Sequence, residues 1–527
     1  MARAPPLDVQ QIVLRAYDAL AKNGKPNATQ YTTLCGVVMR TKDGADATKD
    51  VVVALGTGCK CVPARRRDGE GYVVADSHAE VIARRAFVRW LMEQAASAAT
   101  GDGAASAAFE RVRDDDVGDD VDDDDDDEEK EEENSDDDSS CDVATAMARA
   151  NAMRRKCALV RTKPGVEFHM YCSQPPCGDA SVFDRPNSRR ADGASASTRA
   201  ADGDGEVLKR AKTIGAGGGG AGATGAKLLV APRGDIDPEH GVRAQRLGAT
   251  RLKPGRGDPC DCMSCSDKLC RWCVVGFEGA LLSSVVLEPI FMTSITVAAP
   301  NVYTDDGARM ESGEDVDIVR ANVLNALTRA IETRMHFASA PPRRPVLSCA
   351  APSDAALASY EGMTNGDRIA CPTTISHVHR AREHHDAFDG QPTTEVTLGA
   401  RGYKLGYKHA SSSKDDADVV IKDAAKFAAQ ICPRFTFARF IDVIATFAKH
   451  HPALAARNAI TRLVVVDDAS DAARPTYADV KRAAKRLSGY GVVDRASRAS
   501  QNSPLAHWVD SARKRLAYNA FTVAIEE

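Results

Sequence analysis

The stretch Asp76-Ser77-His78-Ala79-Glu80, continued by Val81-Ile82-Ala83-Arg84-Arg85-Ala86-Phe87-Val88-Arg89-Trp90-Leu91, decides how the rest of the chain is read. Ile82, Ala83, Ala86, Phe87, Trp90 and Leu91 recur at helical spacing, which predicts an amphipathic helix beginning near Glu80. At its start a metal-ligand residue, His78, and a proton-carrying residue, Glu80, stand two apart. A structural reading is equally open on this stretch alone. Ser77 and Glu80 form an S-x-x-E capping box, in which the two side chains satisfy the first backbone N–H groups of the helix.

Downstream residues favour chemistry. Pro176-Cys177 follows a strand-like run, and Ser264-Cys265-Ser266-Asp267-Lys268 follows later. His-x-Glu with a later Pro-Cys is the pattern of zinc nucleobase deaminases, which need three protein ligands, one open position for water and a carboxyl that shuttles protons. His78 and Cys177 supply two ligands. Where Pro-Cys-x-x-Cys would place a third, the chain has Ala180, so Cys265 is the candidate. Cys177 and Cys265 each precede an expected helix, whose dipole favours the thiolate. A rival zinc reading uses Cys260, Cys262, Cys265, Cys270 and Cys273 as a structural cysteine site. Cys270 and Cys273 lie in an apolar helical run, where buried cysteine is the ordinary outcome.

The chain has 527 residues, 43% of them hydrophobic. That length suits two ordinary domains or one large domain with insertions. Its net charge of −5 conceals an asymmetry. Residues 114–142 hold twenty acidic residues against Lys130, a net of −19, so the remainder carries +14. A basic body points to a polyanionic partner, nucleic acid first, unless the charge is simply solvated surface. The start of the sequence shows no apolar signal region and no run reaches membrane-spanning length, so the expectation is a non-membrane protein of the cytoplasm or nucleus. Fifteen cysteines then serve as core residues or metal ligands rather than a disulfide scaffold.

Taken in order, residues 8–22 predict a helix. Leu34–Met39 and Val51–Leu55 predict strands around a polar turn, and Gly56–Cys61 a loop. Residues 95–147 read as an acidic, disordered insertion and residues 186–226 as a Gly/Ala-rich one. Val166–Ser173 alternates as a strand. Leu269–Leu282 predicts one apolar helix, Val285–Leu287 and Ile295–Val297 strands, and Val316–Thr333, Asp423–Ile431, Tyr477–Leu487 and His507–Val523 helices.

These motifs together resemble the adenosine-to-inosine editase family, and within it the branch that acts on position 37 of tRNA-Ala. The resemblance rests on His78-Ala79-Glu80, Pro176-Cys177-Gly178-Asp179-Ala180, Leu252-Lys253-Pro254-Gly255-Arg256-Gly257-Asp258, and Met263-Ser264-Cys265-Ser266-Asp267-Lys268. The last continues through Arg271-Trp272, Val274-Val275-Gly276 and Gly279–Ser283. It implies an α/β fold with a cytidine-deaminase-like mixed sheet flanked by helices. An editase domain would then fill residues 31–527 after a lead-in at 1–30. It implies zinc on His78, Cys177 and Cys265, with Glu80 as proton shuttle. It also implies inositol hexakisphosphate held by Arg84, Arg85, Lys268, Arg271, Tyr477 and Lys481, with Asp76 linking the site to Lys268. Taken alone, the helical wheel places Arg84, Arg85 and Arg89 on a solvated face.

The chain departs from the family at several positions. Cys59 stands where many members have threonine near the substrate ribose, although Lys60 matches. Asp258 stands where duplex-editing relatives have a base-replacing glutamate, and Tyr403-Lys404 where the family has a basic pair. The partner implied is tRNA, with no membrane and no obligate protein partner. The alternatives are an adenosine deaminase of double-stranded RNA, a non-catalytic RNA-binding protein of the same fold, and a free-nucleoside or cytidine deaminase. The expected domain starts within the first ~30 residues, leaving no module-sized room for a duplex-RNA-binding domain.

Overall fold

The computed structural model describes residues 8–43, 47–67, 69–100, 106–113, 142–183, 227–228, 247–253, 260–303, 309–310, 312–335, 344–352, 357, 368–380, 393–406, 424–465, 475–499, 503, 505 and 508. Helix α1 (Val9–Ala19) is capped by Asp8, whose carboxylate accepts from Gln11 N at 3.0 Å. Strands β1 (Leu34–Asp43) and β2 (Ala47–Thr57) form a hairpin, followed by the short strands β3 (Cys59–Cys61) and β4 (Asp76–His78). Then come α2 (Ala79–Thr100), α3 (Val143–Cys157), β5 (Val166–Cys172) and α4 (Cys265–Val275). After these follow β6 (Ser294–Ala298), α5 (Glu314–Ile331), β7 (Val346–Ala350), β8 (Thr373–Val378), β9 (Thr394–Leu398) and β10 (Tyr403–Lys404). Helices α6 (Pro433–His450), α7 (Tyr477–Leu487) and α8 (Tyr490–Ala499) complete the larger elements.

The central sheet runs β7-β6-β5-β1-β2-β8-β9-β10. β5, β6 and β7 are parallel and the remaining pairs antiparallel, so the sheet is mixed and flanked by helices, as expected. Helix α2 is buried along nearly its whole length. Phe87 and Trp90 pack on Phe168 of β5, with ring centroids 5.0 and 6.1 Å away. The approach of α2 to β2 needs Gly56, because a Cβ there would lie 2.4 Å from the backbone nitrogen of Ala83. A second apolar cluster lies under α1, around Val13, Leu34, Leu55 and Ile375.

Several expectations are corrected. The insertion expected at 95–147 is shorter, because Ala95–Thr100 completes α2 with buried alanines and Phe109–Arg111 pairs with Val160–Thr162. An Ala/Ser run looks low in complexity, yet alanine is the best helix former and packs where bulk does not fit. Residues 114–141, and the 186–226 segment, lie outside the described residues. The helix read over Leu269–Leu282 breaks at Gly276, whose φ of 93° and proximity to the Glu278 carboxylate exclude a side chain. Val285–Leu287 makes a single bridge from Val286 to Val160 instead of a strand. The helix at Asp423–Ile431 is one turn, Ala424–Phe427, and α6 was not foreseen. Gly56–Cys61 is strand on both sides of Gly58 rather than loop. Most of the helix expected at His507–Val523 lies outside the described residues. No described helix is long and apolar enough to cross a membrane.

Candidate active site and the adjoining basic cavity

The β3/β4 ribbon places three residues of β3 opposite three of β4, pairing Cys59 with His78, Lys60 with Ser77 and Cys61 with Asp76. The chain then turns directly into α2, so His78 ends a strand and Glu80 lies in the first helical turn. Ser77 makes no capping box, since its hydroxyl is buried without a hydrogen-bond partner. Instead the Asp76 carboxylate accepts from His78 N at 3.1 Å.

Cys177 arrives from the loop after β5. Gly178, at φ 106°, passes so close to Ser264 that a Cβ would lie 2.2 Å from its hydroxyl. Cys265 is the first residue of α4, capped by Ser264, which accepts from Asp267 N at 3.2 Å. Two backbone N–H groups lock these segments together. Ser266 N donates to Cys177 O at 2.9 Å, and Cys265 N donates to Cys177 Sγ at 3.3 Å. Ala180 does not approach as a ligand. Its N–H donates to Ser266 Oγ at 3.0 Å, and the residue serves the loop.

The result is one compact group. His78 Nδ1 lies 3.6 Å from both Cys177 Sγ and Cys265 Sγ, with all three ligand atoms within 4.8 Å of one another. Cys265 Sγ lies 3.2 Å from Glu80 Oε2. The hydrogen bond from Cys265, with His78 and Lys253 nearby, holds the Cys177 thiol well below its ordinary range. Burial, then the neighbouring Cys177, raises the Glu80 carboxyl. Such a donor set, two thiols and an imidazole with a displaced carboxyl, suits a tetrahedral zinc with one open position.

Behind the ribbon, Asp76 receives Lys253 Nζ at 2.7 and 2.9 Å and is also bonded by Lys268. Burial alone would raise its carboxyl, but Lys253 and Lys268 outweigh that and hold it well below the usual carboxylate range. Lys253 is fully buried and sequence reasoning did not single it out. Its signal was present in the Leu252–Asp258 motif, but spacing gave it no partner. Asp267 and Asp179 also anchor the site. Asp267 binds Arg251 N and Arg334, and Asp179 binds Arg251 and Arg329. Asp258 lies outside the described residues. Tyr403 is buried and Lys404 pairs with Glu395 at 3.6 Å.

Next to this group opens a cavity of about 440 Å³. It is lined by Arg84 and Arg85 of α2, Lys268 and Arg271 of α4, Tyr477 and Lys481 of α7, and by Arg67, Lys485, Tyr490 and Trp508. All six residues expected to meet a polyphosphate therefore face one space. Arg67, Lys485 and Trp508 were missed. Among the described residues only Asp261 and Glu278 supply negative charge to the lining. Arg84 stacks over Trp272 at 5.0 Å, its Nε buried without a partner. Burial, with Arg85 and Arg271 nearby, lowers its guanidinium to about 10. The solvated face that the helical wheel gave Arg84, Arg85 and Arg89 is overturned, because α2 is surrounded and Arg89 is 1% exposed. The cysteine cluster read from sequence also divides. Cys270 and Cys273 are isolated core thiols, whereas Cys260 and Cys262 meet Cys61.

Comparison with known proteins matches residues 54–117 and 150–511 to the adenosine-deaminase (editase) domain family. Among similar proteins is tRNA-specific adenosine deaminase 1 of Drosophila melanogaster, 28% identical over 307 residues, covering 58% of this chain and 57% of that protein. The Homo sapiens tRNA-specific adenosine deaminase 1 is 29% identical over 325 residues, covering 53% and 62%. The double-stranded RNA-specific adenosine deaminase of Mus musculus is 28% identical over 284 residues, 54% of this chain but 18% of that protein. The chain thus spans less than two thirds of the length of these relatives.

Proposed function

The chain belongs to the adenosine-deaminase (editase) family, and from that premise we propose that it hydrolytically deaminates adenosine to inosine in tRNA, at position 37 of tRNA-Ala, in the cytoplasm or nucleus. The observation that carries this reading is the convergence of His78, Cys177 and Cys265 on one point with Glu80 beside them. These three would hold zinc. When bound, zinc lowers the pKa of a water so that hydroxide is available near neutral pH. Glu80 takes the proton of the attacking water on its carboxylate. It passes that proton to the adenine ring nitrogen as oxygen bonds to C6, then carries the second proton, from the new hydroxyl, to the amine as the C6–N bond breaks and ammonia leaves. A buried carboxyl with a raised pKa suits this traffic, because it holds a proton yet releases it. Cys177 and Cys265 are positioned by Ser264, Ser266 and Gly178, so the group needs little rearrangement. Asp76, Lys253 and Lys268 brace the ribbon carrying His78.

The cavity fits a bound polyanion, as the partnerless Nε of Arg84 indicates. Inositol hexakisphosphate would be held by Arg84, Arg85, Lys268, Arg271, Tyr477 and Lys481. It would supply the negative charge that lets these cations remain together out of water.

The test is incubation of purified protein with total tRNA and sequencing for inosine. Inosine at position 37 of tRNA-Ala is expected. Glu80→Gln should retain its metal while turnover falls ~10²–10⁴-fold. Inosine appearing only in long duplex RNA would transfer the reading to the double-stranded branch. Full turnover in Glu80→Gln would remove Glu80 from the chemistry.

A further inference from the structure

Cys61, Cys260 and Cys262 come from chain segments some two hundred residues apart in sequence, yet their three sulfurs lie within 4.8 Å of one another. None is one of the His78, Cys177 and Cys265 set, although Cys61 also lies within 4.8 Å of His78 and Asp76, and all three are free thiols. We propose that these three residues form a second, structural metal site that binds zinc through three thiolates.

Local structure aims the side chains. Lys253 N donates to Cys262 O at 2.8 Å, and Leu252 bridges to Met263, so the chain around Cys262 runs extended beside residues 251–253. Residues two apart on extended chain share a face, and Cys260 and Cys262 thus point the same way. Cys61 stands on β3 opposite Asp76 and meets them. Cys260 and Cys262 are 7% and 8% exposed, so the sulfurs are withdrawn from solvent.

The chemistry of the set selects the ion. Three sulfurs at zinc–thiolate distance, about 2.3 Å, sit about 3.8 Å apart in a tetrahedron, compatible with the observed grouping. Soft thiolates favour zinc over the hard cations that prefer oxygen. Three thiolates on a divalent ion leave one net negative charge. Arg67 stands beside that charge, its Nη2 donating to Cys262 Sγ at 3.1 Å while also pairing with Asp261. The fourth corner falls to water, because Asp76, although its Oδ1 is 3.8 Å from Cys61 Sγ, is already engaged by two lysines.

Placement gives the site a role. Cys61 lies two pairs along the ribbon from His78, and Cys262 lies three residues before Cys265. The metal would cross-link the strand carrying one residue of the His78 group to the segment that leads into another. It would also fix the end of the chain that carries Lys253. The inference does not rest on the deaminase reading, since the ion is structural.

Metal analysis of full-length protein purified under reducing conditions tests it. Wild type should hold two zinc ions per chain. The Cys260→Ser/Cys262→Ser double variant and the Cys177→Ser variant should each hold one, and a variant combining the three changes none. A double variant with the wild-type metal content, or a Cys177→Ser protein with no metal at all, would overturn the site. If the double variant does not fold, wild type decides by alkylation. Cys61, Cys260 and Cys262 should resist iodoacetamide as a set and become reactive together as a mercurial reagent releases zinc. Independent reaction of the three thiols without prior metal release, or a disulfide among them by mass spectrometry, would refute it.

Discussion

Helix α2 draws two groups of arginine into the interior, and the two groups are balanced differently. Arg89 lies four residues before Glu93 and bonds it at 3.1 Å, while Arg439 and Arg380 approach the same carboxylate at 3.3 and 3.4 Å. A single glutamate, with Glu395 nearby, thus organises three cations from three parts of the chain. Arg84 and Arg85, one turn earlier, have no such partner on their own helix. Four residues after them stand Val88 and Arg89, an apolar residue and a like charge. Arg85 donates to the Ile431 carbonyl at 3.0 Å, and Arg84 keeps a buried, partnerless Nε over the cavity. A cationic group that carries its own anion is an element of structure. One that lines open volume with less negative charge than positive has room for an anionic ligand.

The largest effect expected from this contrast is at Glu93. Glu93→Ala leaves Arg89, Arg380 and Arg439 buried around no charge, and breaking a buried pair in this way costs ~3–5 kcal/mol. Denaturant unfolding measures it, and addition of inositol hexakisphosphate should not restore the loss. A cost below ~1 kcal/mol would mean that water already serves these arginines, and the distinction between the two groups would collapse.

At the cavity the sign of the effect should depend on the ligand. Arg84→Met removes one of several mutually repelling cations, so anion-stripped protein should be unchanged or slightly more stable. With inositol hexakisphosphate present the same variant loses a charge-assisted bond, worth ~1.5–3 kcal/mol. Wild type should gain stability as ligand concentration rises, in the manner of any native-state ligand, and the variant should gain less. Melting temperatures measured against ligand concentration report both. An Arg84→Met protein equally destabilised with and without ligand would make Arg84 a packing residue.

The two groups also show where sequence is informative. His78, Glu80, Cys177 and Cys265 were legible because each sits in a short motif whose residue types have few other uses. Alternation marked Val166–Ser173 and the β1/β2 hairpin as strands, whereas their assembly into a mixed sheet was implied only by the family resemblance. The cavity could be named only by resemblance, because its cations come from three separate stretches and a helical wheel assumes one wet face. Helix α2 has none, and the wheel therefore failed at Arg84, Arg85 and Arg89. Lys253 and the grouping of Cys61 with Cys260 and Cys262 depend on contacts across long sequence separations, which no periodicity encodes. Helix α6 escaped notice because its charges and aromatics mix around the axis, with Arg434 and Arg439 buried beside Phe437 and Phe440.

The smallest expected effect separates the groups by pH. Asp494, at the cavity rim, is bonded by Arg271 at 2.6 Å and Arg498 at 3.0 Å. Burial would raise its carboxyl, but Arg271 and its neighbours outweigh this and lower it. Its stabilisation is therefore complete above the ordinary aspartate range and disappears as pH falls through the lower folded value. Glu395, beside the Glu93 group, is the reverse case. Burial raises its carboxyl despite the hydrogen bond from Gln430 N at 2.7 Å and the nearby Lys404. Ionised Glu395 is thus a cost at neutral pH, relieved as pH falls through its raised folded value toward the ordinary glutamate range. Each unit of difference between folded and unfolded pKa corresponds to about 1.4 kcal/mol. Glu395→Gln should consequently stabilise the protein at pH 7, with an advantage that shrinks on moderate acidification. Asp494→Asn should destabilise it at pH 7, with a deficit that holds through that same interval and closes only under stronger acid. Unfolding free energies of both variants and wild type, measured from pH 7 downward, check the signs. Two variants that shift stability in the same direction at pH 7 would show that both carboxylates are held by their neighbours alike, and that the cavity is no less balanced than the Glu93 group.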